Sequence, residues 1–402
     1  MQKVPVPNCT PERQTLIKRG MMMKKVLLII LIAIINLSIS QAPSMAIQTN
    51  EVDNFTTSLE EQEKEYGISE FIEQSKKYSE EFDLSQIFSD GLTGNFNNNL
   101  IIKVIFKLLG DNFKQSILTV SAIIIVIIIN SILKAISENL GNKSVSKMAY
   151  YIQYILIVTL LMKNFSDIIG GIKVAIQDLA SFSTTLIPLM TTLIIATGNL
   201  TTSSLIEPIL LSMVTFISNF ITNIVIPLVL VATSFGIISK LSDEVRVEKL
   251  SKFINKGSLW VLTTVLGIFI GIASLESGLT SNVDNVTKKA GKSVVSVAVP
   301  VVGGILGDAI DTIVGYTNII KNAAGIVGIF VILSICLKPI MNLLTLTAVY
   351  KLGSALCEPV ADKKVVELID VMANTFKTML GVMFAITIMI VIGVALVIKM
   401  TS

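Results

Sequence analysis

Two aspartates beside a pair of glycines form the part of this sequence that comes nearest to catalytic chemistry. The stretch reads Gly304-x-x-Gly307-Asp308, and Asp311 follows one turn later. Intramembrane aspartyl proteases use a Gly-x-Gly-Asp motif and a second aspartate, because two carboxylates must share one proton. Here Ile305 replaces the first glycine of that motif, and no confidently predicted span supplies the second aspartate. We therefore predict solvated carboxylates at a helix end or amphipathic turn, and a protein that is not an enzyme.

A lysine followed by a proline interrupts an apolar stretch at Lys338-Pro339. A lysine inside a membrane is costly unless it faces water or a partner, and proline removes a backbone hydrogen bond. The pair indicates either a broken helix that lines a path, as in transporters, or a helix end where the lysine snorkels to the interface. Glu207-Pro208 allows the same two interpretations. The candidate polar pathway residues are Glu207, Asp308, Asp311, Lys338 and Pro339.

The composition indicates an all-α polytopic membrane protein. Of 402 residues, 52% are hydrophobic and 15% are charged, whereas soluble chains carry about 25% charged residues. Histidine is absent, and the three cysteines (Cys9, Cys336 and Cys357) have neither disulfide nor zinc spacing. No Walker loop, dinucleotide fingerprint or nucleophile motif occurs. We expect no cofactor, no metal and no nucleic-acid partner.

The N-terminal region is predicted to be a targeting segment. Residues 1–20 look like an upstream extension, and residues 21–46 look like a signal peptide, with Lys24 and Lys25 before an apolar run at 26–37. Cleavage is predicted after Ala46, and Ser40-Gln41-Ala42 is a second candidate. The alternatives are a long basic n-region that includes residues 1–20, or an uncleaved run that acts as an anchor.

Residues 47–100 form a separate acidic segment, in which residues 51–90 hold twelve acidic residues against three lysines. After a signal peptide, so acidic a stretch is expected outside the cytoplasm, because positive charge favours the cytoplasmic side. Thr57-x-x-Glu60 predicts one helix that ends at Gly67, and Ser69 predicts the start of a second. The segment has few apolar residues, so it is predicted to be a solvated arm, a docking element that folds on a partner, or a spacer.

Residues 101–402 are predicted to form the membrane domain, with about seven or eight transmembrane or re-entrant helices. Residues 163–178 are predicted to be a short connection, 205–239 to hold two passes or a re-entrant hairpin, and 352–377 to be a loop. The basic loops at 134–147 and 240–256 are predicted to be cytoplasmic. The other predicted spans are 117–133, 148–162, 182–195, 257–275, 323–350 (broken at Lys338-Pro339) and 379–398.

Small residues at helical spacing predict close helix packing inside the membrane. Gly267-x-x-x-Gly271 is the clearest example, although such pairs also arise by chance in apolar helices. The candidate packing glycines are Gly267, Gly271, Gly304, Gly307, Gly325 and Gly328.

The C-terminal block carries a family resemblance. The stretches Gly307-Asp308-Ala309-Ile310-Asp311 and Ile319-Ile320-Lys321-Asn322-Ala323-Ala324-Gly325-Ile326-Val327-Gly328, continued through Lys338-Pro339 to Tyr350-Lys351-Leu352, resemble the stage III sporulation protein AE family. The resemblance runs from the signal peptide to Lys399. Residues 1–20 depart from the family pattern, which favours a later start of translation.

The resemblance implies a sporulation function. Members of this family are made in the mother cell of endospore-forming bacteria and lie in the outer of the two membranes around the forespore. They belong to an eight-subunit complex with a secretion-type ATPase (AA) and ring-forming proteins (AG and AH), which meets a forespore channel protein. The complex is thought to be a channel, or feeding tube, that permits late sigma-factor activity. The AE subunit has been likened to the export gate of secretion systems, and no catalytic residues carry over.

Two classes of function therefore remain at the level of sequence. The protein is either a subunit of such a channel or a transporter that works alone, with Lys338, Asp308 or Glu207 in its substrate path. Since the sequence contains neither an internal repeat nor an ion-site motif, the channel subunit is favoured.

Overall fold

The computed structural model describes residues 66–79, 81–94, 99–139, 143–241, 247–272 and 303–399. In these ranges the chain is helical and contains no strand, which confirms the all-α prediction. The predicted signal peptide and its cleavage after Ala46 lie outside the described residues. The helices are α1 (Ile68–Lys76), α2 (Leu84–Thr93), α3 (Asn99–Asn139), α4 (Lys143–Ala196), α5 (Leu200–Phe220), α6 (Ile226–Leu241), α7 (Glu248–Ile272), α8 (Gly303–Cys357) and α9 (Lys363–Lys399).

Six segments in the described part of the chain are long and apolar enough to cross a membrane, which confirms a polytopic membrane fold. The sequence predicted seven or eight crossings. The difference has two sources, because two pairs of predicted passes are single helices. The six segments are Lys103–Ile129, Tyr151–Ala196, Ser203–Leu241, Glu248–Ile272, Val314–Cys357 and Lys363–Lys399.

The first of these differences is in α4. Residues 163–178 were predicted to connect two spans, but they lie within one helix of 54 residues. At 1.5 Å per residue this helix is about 80 Å long, more than twice the thickness of a hydrocarbon core. The charges in its middle therefore mark a helix face, since the helix does not end there.

The second difference is between residues 200 and 241. Two passes or a hairpin were predicted, but α5 and α6 join through a π-helical turn, Ile221–Val225, and run on together. The ring of Pro227 would clash with the carbonyl of Asn223 in a regular α-helix. A widened turn at 221–225 removes that conflict, which explains why the chain continues and does not reverse.

Each correction removes one membrane pass, so together they leave the predicted orientation of the later segments unchanged. Replacing two passes by one in each region leaves the C-terminal ends of α3 and α6, where the basic stretches 134–147 and 240–256 begin, at the same end of the bundle. Contacts at this end support the arrangement. Ser131 donates to the backbone carbonyl of Val360 (2.6 Å), and Tyr154 donates to that of Ile237 (2.9 Å).

Helices α8 and α9 form an antiparallel pair in the centre of the bundle. The break predicted at Lys338-Pro339 is wrong, because α8 continues through Pro339. The loop predicted at 352–377 is also wrong. Helix α8 ends at Cys357 and α9 begins at Lys363, so most of the predicted loop is helical. Polar residues at both places lie on helix faces that the sequence pattern alone did not reveal.

The described part of the acidic segment packs against the membrane helices and is not a free arm. Asp83 caps α2 by accepting hydrogen bonds from the backbone of the next turn. Gly91 of α2 lies against Ala323 of α8 so closely that an added Cβ would be 3.0 Å from its Cα. The apolar side chains that α1 and α2 bury include Ile68, Phe71, Ile72, Leu84, Ile87 and Phe88.

Candidate functional site

A charged groove lies between the α1–α2 hairpin and the middle parts of α4 and α8. It is an open cavity of about 410 Å³. Lys338 and Pro339, both selected from the sequence, lie on its α8 wall. The charged residues of the groove are Lys77, Glu81, Asp167, Asp178 and Lys338.

The α1–α2 hairpin is held against this groove by one buried hydrogen bond and by aromatic packing. The hydroxyl groups of Ser79 and Ser334 are 2.9 Å apart and buried. Phe82 packs edge-on against Phe330, with ring centroids 5.4 Å apart. These contacts place Lys77 and Glu81, on either side of Ser79, next to the charged face of the long helices.

The register between α8 and α9 gives the depth of the groove. Gly325 of α8 lies against Ile398 of α9, and because the two helices are antiparallel, Cys336 is level with Thr387, each being eleven residues from that contact. Thr387 lies near the centre of residues 379–398, an uncharged run of 20 residues that matches a hydrocarbon core of about 30 Å. Lys338 follows Cys336 by two residues. The part of the groove around Lys338 is therefore level with the middle of the most apolar span.

The charges of the groove are not neutralised within the described part of the chain. None of the five forms an ion pair there, although the Lys77 ammonium lies 4.6 Å from the centre of the Tyr78 ring. Lys77, Asp167 and Lys338 are exposed, and Asp178 is half-buried. Charges of both signs on one open wall can hold water and small charged solutes.

Sequence reasoning missed four of these five residues. It placed Lys77 and Glu81 in a segment predicted to be a solvated arm, a docking element or a spacer, and Asp167 and Asp178 in a short connection. One signal was available, because the two aspartates are 11 residues apart, which is three helical turns. In a continuous helix that spacing puts both carboxylates on one face.

The other polar pathway candidates lie elsewhere. Glu207 accepts a hydrogen bond from the Thr191 hydroxyl (2.8 Å), which ties α5 to α4, and it does not line the groove. Asp308 and Asp311 lie in the first turns of α8, and their side chains are outside the described set. The structure therefore brings Lys338 and Pro339 together with groove residues that the sequence did not predict, and it leaves Glu207 apart.

The candidate packing glycines fall into two groups. An added Cβ at Gly325 would lie 2.5 Å from Ile398, and one at Gly328 would lie 2.8 Å from Leu186. At Gly267 and Gly271 an added Cβ would meet no atom within 4 Å among the described residues. Gly304 and Gly307 are in the first turns of α8 and their surroundings are not described.

Lys321 is a further buried polar residue that the motif search did not select. It is fully buried in α8, and its ammonium donates to the side-chain oxygen of Asn318 at 3.3 Å. Its position in the apolar sequence that begins at Ile319 was a usable signal, since a charged residue in such a run is costly.

Where α6 ends and α7 begins, an ion-pair cluster joins three helices. Lys240 at the end of α6 lies 2.9 Å from both Glu248 of α7 and Glu367 of α9. Lys351 of α8 and Asp370 of α9 are paired at 2.8 Å. These charges are paired, in contrast to those of the groove.

Comparison with known proteins identifies the family. The sequence model of the family described as stage III sporulation protein AE matches residues 82–401. The chain is also 27% identical, over 274 residues, to stage III sporulation protein AE of Bacillus subtilis (strain 168), which covers 68% of this chain and 69% of that protein. No solved structure matches the chain. The family match spans α2 to α9 and includes the Lys338-Pro339 wall of the groove, and so the chain belongs to the stage III sporulation protein AE family.

Proposed function

We propose that the protein is a membrane subunit of the channel complex that links the mother cell and the forespore. In this proposal it lies in the outer, mother-cell-derived membrane around the forespore and is needed for forespore development and late sigma-factor activity. The observation that carries the proposal is the family match over residues 82–401, which supports a role in sporulation. The six candidate membrane spans fit a multi-pass subunit.

The groove supports an assembly in preference to an isolated chain. Unpaired charges at the depth of an apolar span are unfavourable in lipid, so this face needs water or other protein beside it. The proposed neighbours are the ATPase (AA), the ring proteins (AG and AH) and the forespore channel protein. The acidic segment is proposed to face the space between the two membranes. The proposed role is structural and involves no catalysis and no cofactor.

The direct test is an in-frame deletion in a spore-forming host, followed by microscopy with a late forespore reporter. We expect engulfment to finish, the forespore then to collapse, and the reporter to stay silent. Complementation with the intact gene should restore spores. Normal maturation without the gene would contradict the proposal.

A transporter that works alone is the competing candidate, because the charged groove around Lys338 also fits a substrate path within one chain. The two functions differ in what the purified chain does. A subunit copurifies with other sporulation membrane proteins and moves no solute by itself, whereas a transporter moves solute in vesicles that contain this chain alone.

A further inference from the structure

We propose that the charged groove is filled with water and forms part of the wall of the conduit. It reaches to the middle of the membrane and binds small hydrophilic solutes that carry charge of either sign. The inference rests on the proposed function for the existence of a conduit. The hydration of the groove, however, can be measured independently of sporulation.

The position of Asp178 is the first step. Leu186 of α4 lies against Gly328 of α8, and the two helices run in opposite directions. Asp178 is eight residues from Leu186, and Cys336 is eight residues from Gly328. Both therefore lie about 12 Å from that contact along the bundle. Through Cys336 and Thr387, this places Asp178 level with the centre of the uncharged run of α9.

An aspartate at this depth cannot reach the membrane surface. A long lysine can extend its ammonium towards an interface, but the aspartate side chain is too short to do so from about 15 Å away. Asp178 is half-buried and forms no ion pair among the described residues. Its carboxylate is thus expected to be solvated by water inside the groove.

The second step is the direction of the groove. Asn164 of α4 donates to the Tyr350 hydroxyl of α8 at 3.1 Å. This contact lies closer than Asp178 to the N-terminal end of α4. Asp167 is three residues from Asn164, so it lies close to the lower end of the uncharged run. The groove therefore extends from mid-depth at Asp178 to that end at Asp167, with a carboxylate near each end of its α4 wall and mainly apolar residues between them.

The third step is the chemistry of the lining. Two lysines and three carboxylates line a space of about 410 Å³, which is large enough for a small solute with its hydration water. Charges of both signs favour ions and zwitterions over apolar molecules. The groove is open on one side, so a single chain forms only part of the wall.

The test is the reactivity of introduced cysteines in the full chain in native membranes. A Cys9→Ser background leaves Cys336 and Cys357, which are 1% and 3% exposed and give a low background. Val174→Cys and Lys338→Cys place thiols in the groove. Phe216→Cys places one on the apolar side formed by α5 and α6, where Phe216 is 60% exposed. Leu210 of α5 lies against Gly393 of α9, and Phe216 and Thr387 are each six residues from that contact, so the depth is similar. A membrane-impermeant charged thiol reagent reacts with thiolates, which form in water but not in lipid.

We expect the groove cysteines to react at least about tenfold faster than the cysteine at position 216. Val174→Cys keeps every charge of the groove, so it remains informative if Lys338→Cys accumulates poorly. Equally slow reaction at positions 174 and 216 would overturn the inference. If the deletion blocks sporulation while the groove is unreactive, the proposed function stands and the conduit wall is wrong. If the groove reacts but spores mature normally, the channel function fails while the groove stands as hydrated.

Discussion

The two sides of the helix bundle differ in charge at the same membrane depth. The side formed by α1, α4 and α8 carries the charged groove, with Asp178 and Lys338 near the level of Thr387. The side formed by α5 and α6 has no charged residue between Glu207 and Lys240. Large apolar side chains cover it, and Phe216 is 60% exposed.

This difference indicates that the two sides have different surroundings. Exposed apolar side chains are stable against lipid, whereas unpaired charges need water or protein. A protein surrounded by lipid on all sides would bury its charges or pair them, as it does at Lys240. The groove side is therefore the side on which we expect water or other protein.

The largest expected effect comes from placing a lysine on each side in turn. Phe216→Lys puts a charge into lipid, at a cost of about 2.5–3.5 kcal/mol for a residue at a helix centre. We expect its amount in the membrane fraction to fall about tenfold or more. Val174→Lys is the matched control, because Val174 is 57% exposed but lines the groove. Its amount should stay within about twofold of the unmodified protein.

Immunoblots of membrane fractions measure both variants. A similar fall for the two lysines would mean that the groove also faces lipid, and the contrast between the two sides would be lost.

The sequence was sufficient for the class of fold but not for the charged face. Uncharged runs such as 379–398 predicted a membrane protein because their length and composition alone decide that property. The segment from Lys163 to Asp178 is helical because it packs against α8 and the α1–α2 hairpin. The hydrophobic periodicity of the sequence carries no information about that packing. The same holds for Pro339, since a proline within a helix is tolerated when neighbouring helices support it.

The candidate site was predictable only at Lys338 and Pro339. These two residues stand out in an apolar run, whereas Asp167 and Asp178 lie in a mixed segment of a type found in many loops. Their convergence depends on a long-range contact, Ser79 with Ser334, between residues 255 positions apart. A single sequence carries no record of such a contact.

The next effect concerns the hairpin that borders the groove. Phe82→Ala removes a buried ring that packs on Phe330, and we expect a loss of about 3 kcal/mol in the free energy of hairpin docking. Limited proteolysis between residues 66 and 98 should become much faster. Glu73→Ala is the control, because Glu73 is exposed and its pair with Lys76 lies on the surface. Unchanged proteolysis of Phe82→Ala would show that the hairpin is held by other contacts.

A smaller effect distinguishes a packed face of α8 from an exposed face of α7. Gly328→Leu forces a side chain against Leu186, and overpacking of this kind costs about 2 kcal/mol. We expect a lower midpoint of thermal unfolding in detergent. Gly267→Leu, where the described residues leave open space, should change the midpoint little. The comparison fails if the substitution at 267 is as harmful, which would place a further packing partner on α7.

The smallest effect compares a paired lysine with an unpaired one. Lys240→Met leaves Glu248 and Glu367 without their shared cation, and we expect a loss of about 1 kcal/mol, since both carboxylates are partly exposed. Because salt screens exposed charges, the loss should shrink at high ionic strength. Lys338→Met removes a lysine that forms no ion pair among the described residues, so the thermal midpoint should not fall. If Lys338→Met destabilises the protein as much as Lys240→Met does, the groove lysine has a partner within the chain, and its side of the bundle is not held open for water.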